Sequence, residues 1–198
     1  SRGVIVSKIF FMIMEKELHQ FLERVNEIYG LFLDATTGFN EWNMNLLKQQ
    51  ENIQKQTGES LEFFESKKYL YFVEQEDGKL HQLSHWTTLG ELKKRIKNKG
   101  ENHLKMANLS LVMIYSYWEY YRSKIQERTK KLINSDLMGD IRHLRISIIH
   151  NKGIGNENMN KCKILNQFKE GDKIEIDDEY FEKIVDLIRK EINLIDKK

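Results

Sequence analysis

Proline is absent from all 198 residues. It is the residue that most firmly stops a helix, because it lacks the backbone N–H and its ring collides with the preceding turn. A chain without it is interrupted only by glycine, asparagine and clusters of charge. The expectation is therefore a set of long helices rather than an all-β fold.

The apolar periodicity agrees. Leu18, Leu22, Val25 and Ile28 recur at three-to-four spacing, which predicts a first helix over about Ile13–Phe32. Asp34-Ala35-Thr36-Thr37-Gly38 is expected to interrupt it. A thinner stripe of Trp42, Leu46 and Ile53 predicts a second helix over about Glu41–Gln56. Tyr69–Val73 and Leu80–Trp86 are aromatic and β-branched and flank Asp77-Gly78, the signature of a β-hairpin. Thr88 and Glu91 have capping-box spacing before a short basic helix that ends near Gly100. The segment from about Glu101 to Ile133 is apolar on most sides, which predicts the buried centre of a bundle. A helix over about Leu137–Asn151 follows, with Gly153 as its stop. Ile174-Glu175-Ile176 alternates like a short strand, and Asp177 or Asp178 can cap a last helix. The fold expected is all-α, an up-and-down helical bundle with a small β-hairpin insertion near residues 69–86. It forms one domain over residues 1–198: an N-terminal helical pair (1–58), a hairpin-containing insertion (59–100) and a core (101–198).

Composition narrows the functional classes. Thirty-two Lys and Arg against 30 Asp and Glu leave a net charge of only +2, so nucleic-acid binding would need a local basic patch. The lone Cys162 can form neither an intrachain disulfide nor a cysteine-based zinc site, and a reducing, cytoplasmic setting is expected. The apolar run Val4–Met14 is too short to span a bilayer and carries Lys8, so it reads as the lead-in to the first helix, with no membrane role.

One helix concentrates the polar chemistry: Arg142, His143, Arg145, Ser147, His150 and Asn151. Arginine offers a permanent, forked cation suited to phosphate. Histidine titrates near neutrality and can move a proton. Together they suit metal-independent RNA cleavage, with His150 activating the 2′-hydroxyl or protonating the leaving oxygen and Arg145 offsetting charge at phosphorus. On a regular helix, His150 lies about 140° around from Arg145 and about 7.5 Å along the axis. A working pair then needs a long arginine reach, a distorted helix end, or two subunits sharing a site on a two-fold axis. On spacing alone, a solvated helix face explains the pattern better.

The run Ile141-Arg142-His143-Leu144-Arg145-Ile146-Ser147-Ile148-Ile149-His150-Asn151-Lys152-Gly153 resembles the signature helix of the HEPN superfamily. That signature is Arg, four to six residues, His, often followed by Asn and a Gly-containing turn. Tyr115–Arg122, with Glu119 embedded among aromatics, and Phe168–Ile176 extend the resemblance over roughly Glu101–Ile195. The resemblance implies a dimerising helical bundle whose active members are metal-independent endoribonucleases, often toxins or anti-phage effectors. It implies Arg145 as the phosphate-stabilising residue and His150 as the catalytic one. The expected partners are RNA, a second copy of the chain, and an antitoxin or neighbouring-gene product. The sequence departs from the pattern at Ile146, where many active members carry a polar residue after the Arg; Ser147 or His143 could substitute. Other HEPN proteins are binding or assembly modules without activity.

The remaining candidates have weaker signatures. Glu119 could orient Arg145 across the helix pair, or sit at the bundle edge paired with Arg122. His143 and His150 are too far apart for joint metal binding, and neither metal nor cofactor is expected. His81 and His85 are expected to face solvent. Lys93–Lys99 could attract an RNA backbone but suits a solvated face better. Tyr115, Tyr117, Trp118, Tyr120 and Tyr121 could stack bases, though their spacing favours core packing.

Overall fold

A computed structural model describes the backbone of residues 2–195 and the side chains of residues 10–194. The described chain is all-α with a small hairpin. Its elements are α1 (Arg2–Thr57), α2 (Leu61–Ser66), β1 (Lys68–Glu74), β2 (Leu80–Thr88), α3 (Leu89–Ile96), α4 (Glu101–Thr129), α5 (Asp136–His150), a 3-10 turn (Glu157–Lys161) and α6 (Asp178–Ile195). Two compact units emerge, Ser1–Asp34 with Leu104–Lys198, and Ala35–His103.

The expected break after Phe32 does not occur. α1 is one helix of 56 residues and takes the place of the helical pair expected over 1–58. Gly30 and Gly38 each weaken it by about 1 kcal/mol relative to alanine, which is far less than a proline would cost. Thr36 is buried and Phe39 half-buried, so the packing face does not lapse across the segment. The N-terminal lead-in belongs to the same helix from Arg2.

The first unit is a helical bundle. Its core joins Leu18, Phe21, Val25 and Phe32 of α1 with Ile114, Trp118, Tyr121 and Ile125 of α4, Leu137, Ile141 and Leu144 of α5, and Phe181, Ile184 and Ile188 of α6. Phe21 meets Trp118 at 5.4 Å between ring centres, and Phe32 meets Phe181 edge-on at 4.7 Å. Glu17 is buried in this unit and accepts a hydrogen bond from Arg128 at 2.7 Å, an internal ion pair with no period to announce it. α4 is not apolar-buried all round. Leu109, Met113, Tyr117 and Tyr120 form an exposed stripe, so only Tyr115, Trp118 and Tyr121 of the aromatic cluster enter the core.

Asp140 carries the largest structural surprise. It is buried on α5, and its carboxylate accepts the backbone N–H groups of Lys163, Ile164 and Leu165 at 2.6–3.0 Å. Those bonds fasten the segment after the 3-10 turn onto α5. Ile174–Ile176 is not a strand, though Ile174 and Ile176 are buried and Glu175 is exposed. The Ile174 N–H donates to the Gly153 carbonyl at 2.7 Å, next to an isolated bridge between Ile154 and Lys173. Alternation of burial holds there without a ladder. Asp177 caps α6 by accepting the Tyr180 N–H at 2.9 Å.

In the second unit the hairpin pairs Lys68 with Thr88, Leu70 with Trp86 and Glu74 with Leu80, with an irregularity between Leu70 and Phe72. Gly78 takes the positive φ of 75° that the turn requires. Tyr69, Trp42, Leu46, Leu92 and Ile96 make a small core. Thr88 caps α3 by accepting the Glu91 N–H at 3.2 Å.

Candidate functional site

α5 owes its position to its apolar stripe, and its polar residues distribute around what that stripe leaves. Ser135 starts the helix by accepting the Met138 N–H at 2.9 Å. At the other end, the Asn151 and Gly153 N–H groups both donate to the Ser147 carbonyl, and Gly153 has a φ of 78°. The stop after His150 is therefore a built feature.

Arg145 lies on the flank of the stripe and is half-buried. Its guanidinium carbon sits 5.6 Å from the centre of the Tyr115 ring, a cation–π arrangement across α4 and α5. Its Nε is sealed from solvent with no hydrogen-bond partner. Burial pushes the Tyr115 phenol above its ordinary range and Glu119 reinforces that, while Arg142, Arg122 and Arg145 pull it down. The four charged groups are thus gathered around one phenol. Glu119 is exposed and makes no ion pair with Arg145 or Arg122 among the described residues. What Arg145 rests on is Tyr115, which is buried in the core as its spacing favours.

His150 belongs elsewhere. It is exposed at the last residue of α5. Arg142, His143, Ile146, Ile149 and His150 all lie on the outward face, either exposed or half-buried, with Ile149 46% exposed. Arg145 lies over Tyr115 while His150 faces solvent at the helix end, so the two sit in different surroundings. His143 is half-buried, its Nδ1 is sealed without a partner, and burial lowers its pKa, with Asp140 acting against that shift. Ser147 is fully buried and its hydroxyl accepts the Asn156 N–H at 3.3 Å. Asn151 donates from its side chain to the Ile154 carbonyl at 2.7 Å. Both shape the loop that follows α5.

Other candidates recede. Lys93 donates to Glu65 and Gln50, each at 2.6 Å, and Arg95 donates to the Tyr71 hydroxyl at 3.1 Å, so much of the basic run serves its own unit. His81 and His85 are exposed, with His85 ring to ring against Tyr71. Burial pushes the Cys162 thiol up to about 11, which keeps it protonated and unreactive near neutral pH. No three or more His, Cys, Asp or Glu side chains gather into a metal-binding group among the described residues. No described helix is long and apolar enough to cross a membrane. No family model, curated protein or solved structure matches the chain.

Proposed function

We propose that this chain is a metal-independent endoribonuclease of the HEPN type that acts as a homodimer in the cytoplasm. The observation that carries the reading is the division of labour on α5. Arg145 is held against Tyr115 with Arg142 and Arg122 nearby, while the imidazole of His150 stands free in solvent. A permanent cation and a titratable proton carrier on one helix are the two groups that 2′-hydroxyl attack on a phosphodiester needs. Ile146 and Ile149 share the outward face with His150, and apolar residues beside a polar centre favour burial against a second copy. Such pairing would bring one chain's His150 toward the arginines of the other. The role that fits is a toxin or anti-phage effector, held in check by an antitoxin or another neighbouring-gene product.

The test is cleavage of a mixed RNA substrate in EDTA by wild type and His150→Ala. The expected loss is about 100-fold or more, the usual contribution of a positioned acid–base group. Equal rates would remove His150 from the chemistry. A second reading, a catalytically silent HEPN module that binds protein or nucleic acid, is favoured by Ile146 at the position after Arg145. It predicts RNA retention or dimerisation with no cleavage by either form.

A further inference from the structure

Arg142 and Arg122 line one cavity of about 420 Å³ between α4 and the start of α5, together with Tyr115, Trp118, Ile133 and Met138. The volume falls within the range of about 300–1,000 Å³ typical of small-molecule sites. Arg122 is fixed in place, since its Nε donates to the Ile133 carbonyl at 3.1 Å. Arg142 is exposed and makes no ion pair among the described residues. Asp136 also lines the cavity, but its carboxylate accepts from Lys163 at 2.7 Å, so its charge is already matched. The α5 N-terminus adds little, because Ser135 already takes the Met138 N–H.

We infer that this cavity is a phosphate-binding subsite that takes a nucleotide monophosphate group. Two guanidinium forks supply more donors than a carboxylate has oxygens, whereas a phosphate can satisfy both. The buried aromatic wall excludes water from one side, which strengthens those charge-assisted bonds. A bare phosphate ion would leave much of the cavity empty, and the apolar wall of Ile133 and Met138 suits an attached sugar or base. Arg145, its Nε sealed and its guanidinium carbon 5.6 Å from the Tyr115 ring centre, lies behind the wall and does not line the cavity. The phosphate is either a free nucleotide's or one within an RNA strand; only the strand source rests on the ribonuclease reading.

The experiment is an amide NMR titration of the full chain with adenosine 5′-monophosphate, with adenosine, and with a short single-stranded RNA bearing a 5′-hydroxyl. The monophosphate is expected to shift amides of residues 133–142 while adenosine leaves them in place. Arg142→Gln is expected to weaken that binding at least about tenfold, with an unchanged thermal melt, and Arg122→Lys to weaken it less. Displacement of the monophosphate by the RNA assigns the site to a strand phosphate; no displacement assigns it to a free nucleotide. Equal binding of adenosine, no binding by wild type, or undiminished binding by Arg142→Gln overturns the proposal. RNA cleavage without monophosphate binding removes the subsite and leaves the ribonuclease. Monophosphate binding without cleavage does the reverse.

Discussion

Replacing Asp140 with alanine isolates the bond set that positions α5 against the segment after it. The carboxylate accepts from Lys163, Ile164 and Leu165, and only Leu165 among those three is buried. In Asp140→Ala the Leu165 N–H loses its partner away from water, a cost of about 1–3 kcal/mol. The Lys163 and Ile164 N–H groups can turn to water, so each forfeits only a net of about 0.5–1.5 kcal/mol. The cost of burying the carboxylate also disappears in the variant, and this offset is already contained in the net hydrogen-bond values used here. The sum is about 2–6 kcal/mol, and about 3–5 kcal/mol is the working expectation given that neighbouring bonds are not additive. Asp140→Asn keeps one oxygen to accept from Ile164 and Leu165 but sets its amide N–H₂ against the Lys163 N–H, so a smaller loss of about 1–3 kcal/mol is expected. Urea unfolding followed by far-ultraviolet circular dichroism gives the stability. Amide hydrogen exchange at Leu165 gives the local consequence, a collapse of protection in Asp140→Ala. Because a chain of two compact units need not unfold in one step, the exchange at Leu165 is the decisive reading. If Asp140→Ala costs under about 1 kcal/mol and Leu165 stays protected, the carboxylate is not what holds this segment and the reasoning is refuted.

Two further outcomes follow from the same region. Burial lowers the pKa of His143, so its neutral form is favoured in the fold. Its contribution is present above the unfolded histidine pKa of about 6.5 and is lost as pH falls through and below that value. Stability should therefore drop less between pH 7.5 and 5.5 in His143→Gln than in wild type, and parallel curves would show that His143 does not titrate with folding. Gly155 has no room for a side chain, because a Cβ there would sit 2.2 Å from the Lys169 carbonyl oxygen. Gly155→Ala must move the backbone that bonds to Asp172 and Gly171, and a loss of about 2 kcal/mol or more is expected, read as a melting point lower by at least about 4 °C.

Much of the fold was legible because helix packing writes itself into sequence at a fixed period. Leu18, Val25 and Ile28 are buried where the stripe places them and Leu22 is half-buried, and the hairpin formed around Asp77-Gly78. The misreadings share one cause. Period says which residues share a face but not what covers that face. Leu109, Met113, Tyr117 and Tyr120 form a stripe as regular as the core stripe of α4, yet they remain exposed. Local signals mislead in the same way: Asp34–Gly38 has loop chemistry, but nothing in it costs enough to break a helix packed on both sides of it. Asp140 escaped notice because its partners are backbone N–H groups more than 20 residues on, which leave no mark in side-chain pattern.

The candidate site shows the same limit more sharply. A motif of Arg145 and His150 is visible as spacing, and on a regular helix that spacing sets the two about 140° apart. Spacing also separates two arginines three residues apart, but not what each one touches. On a regular helix Arg145 lies about 40° around from the buried Ile141 and Arg142 about 100°, and their surroundings differ accordingly. The nearer one is drawn over Tyr115 and has its Nε sealed. The farther one stays exposed and lines the cavity shared with Arg122. A fork already engaged with a ring has less freedom to follow a reacting phosphate than one that is not. On a regular helix Arg142 lies about 80° around from His150 and about 12 Å along the axis, against about 140° and about 7.5 Å for Arg145, so the angle favours Arg142 and the axial distance favours Arg145. For a shared two-chain centre, this makes the loss of Arg142, not only of Arg145, the informative substitution: a catalytic role confined to Arg145 would leave cleavage by Arg142→Gln intact.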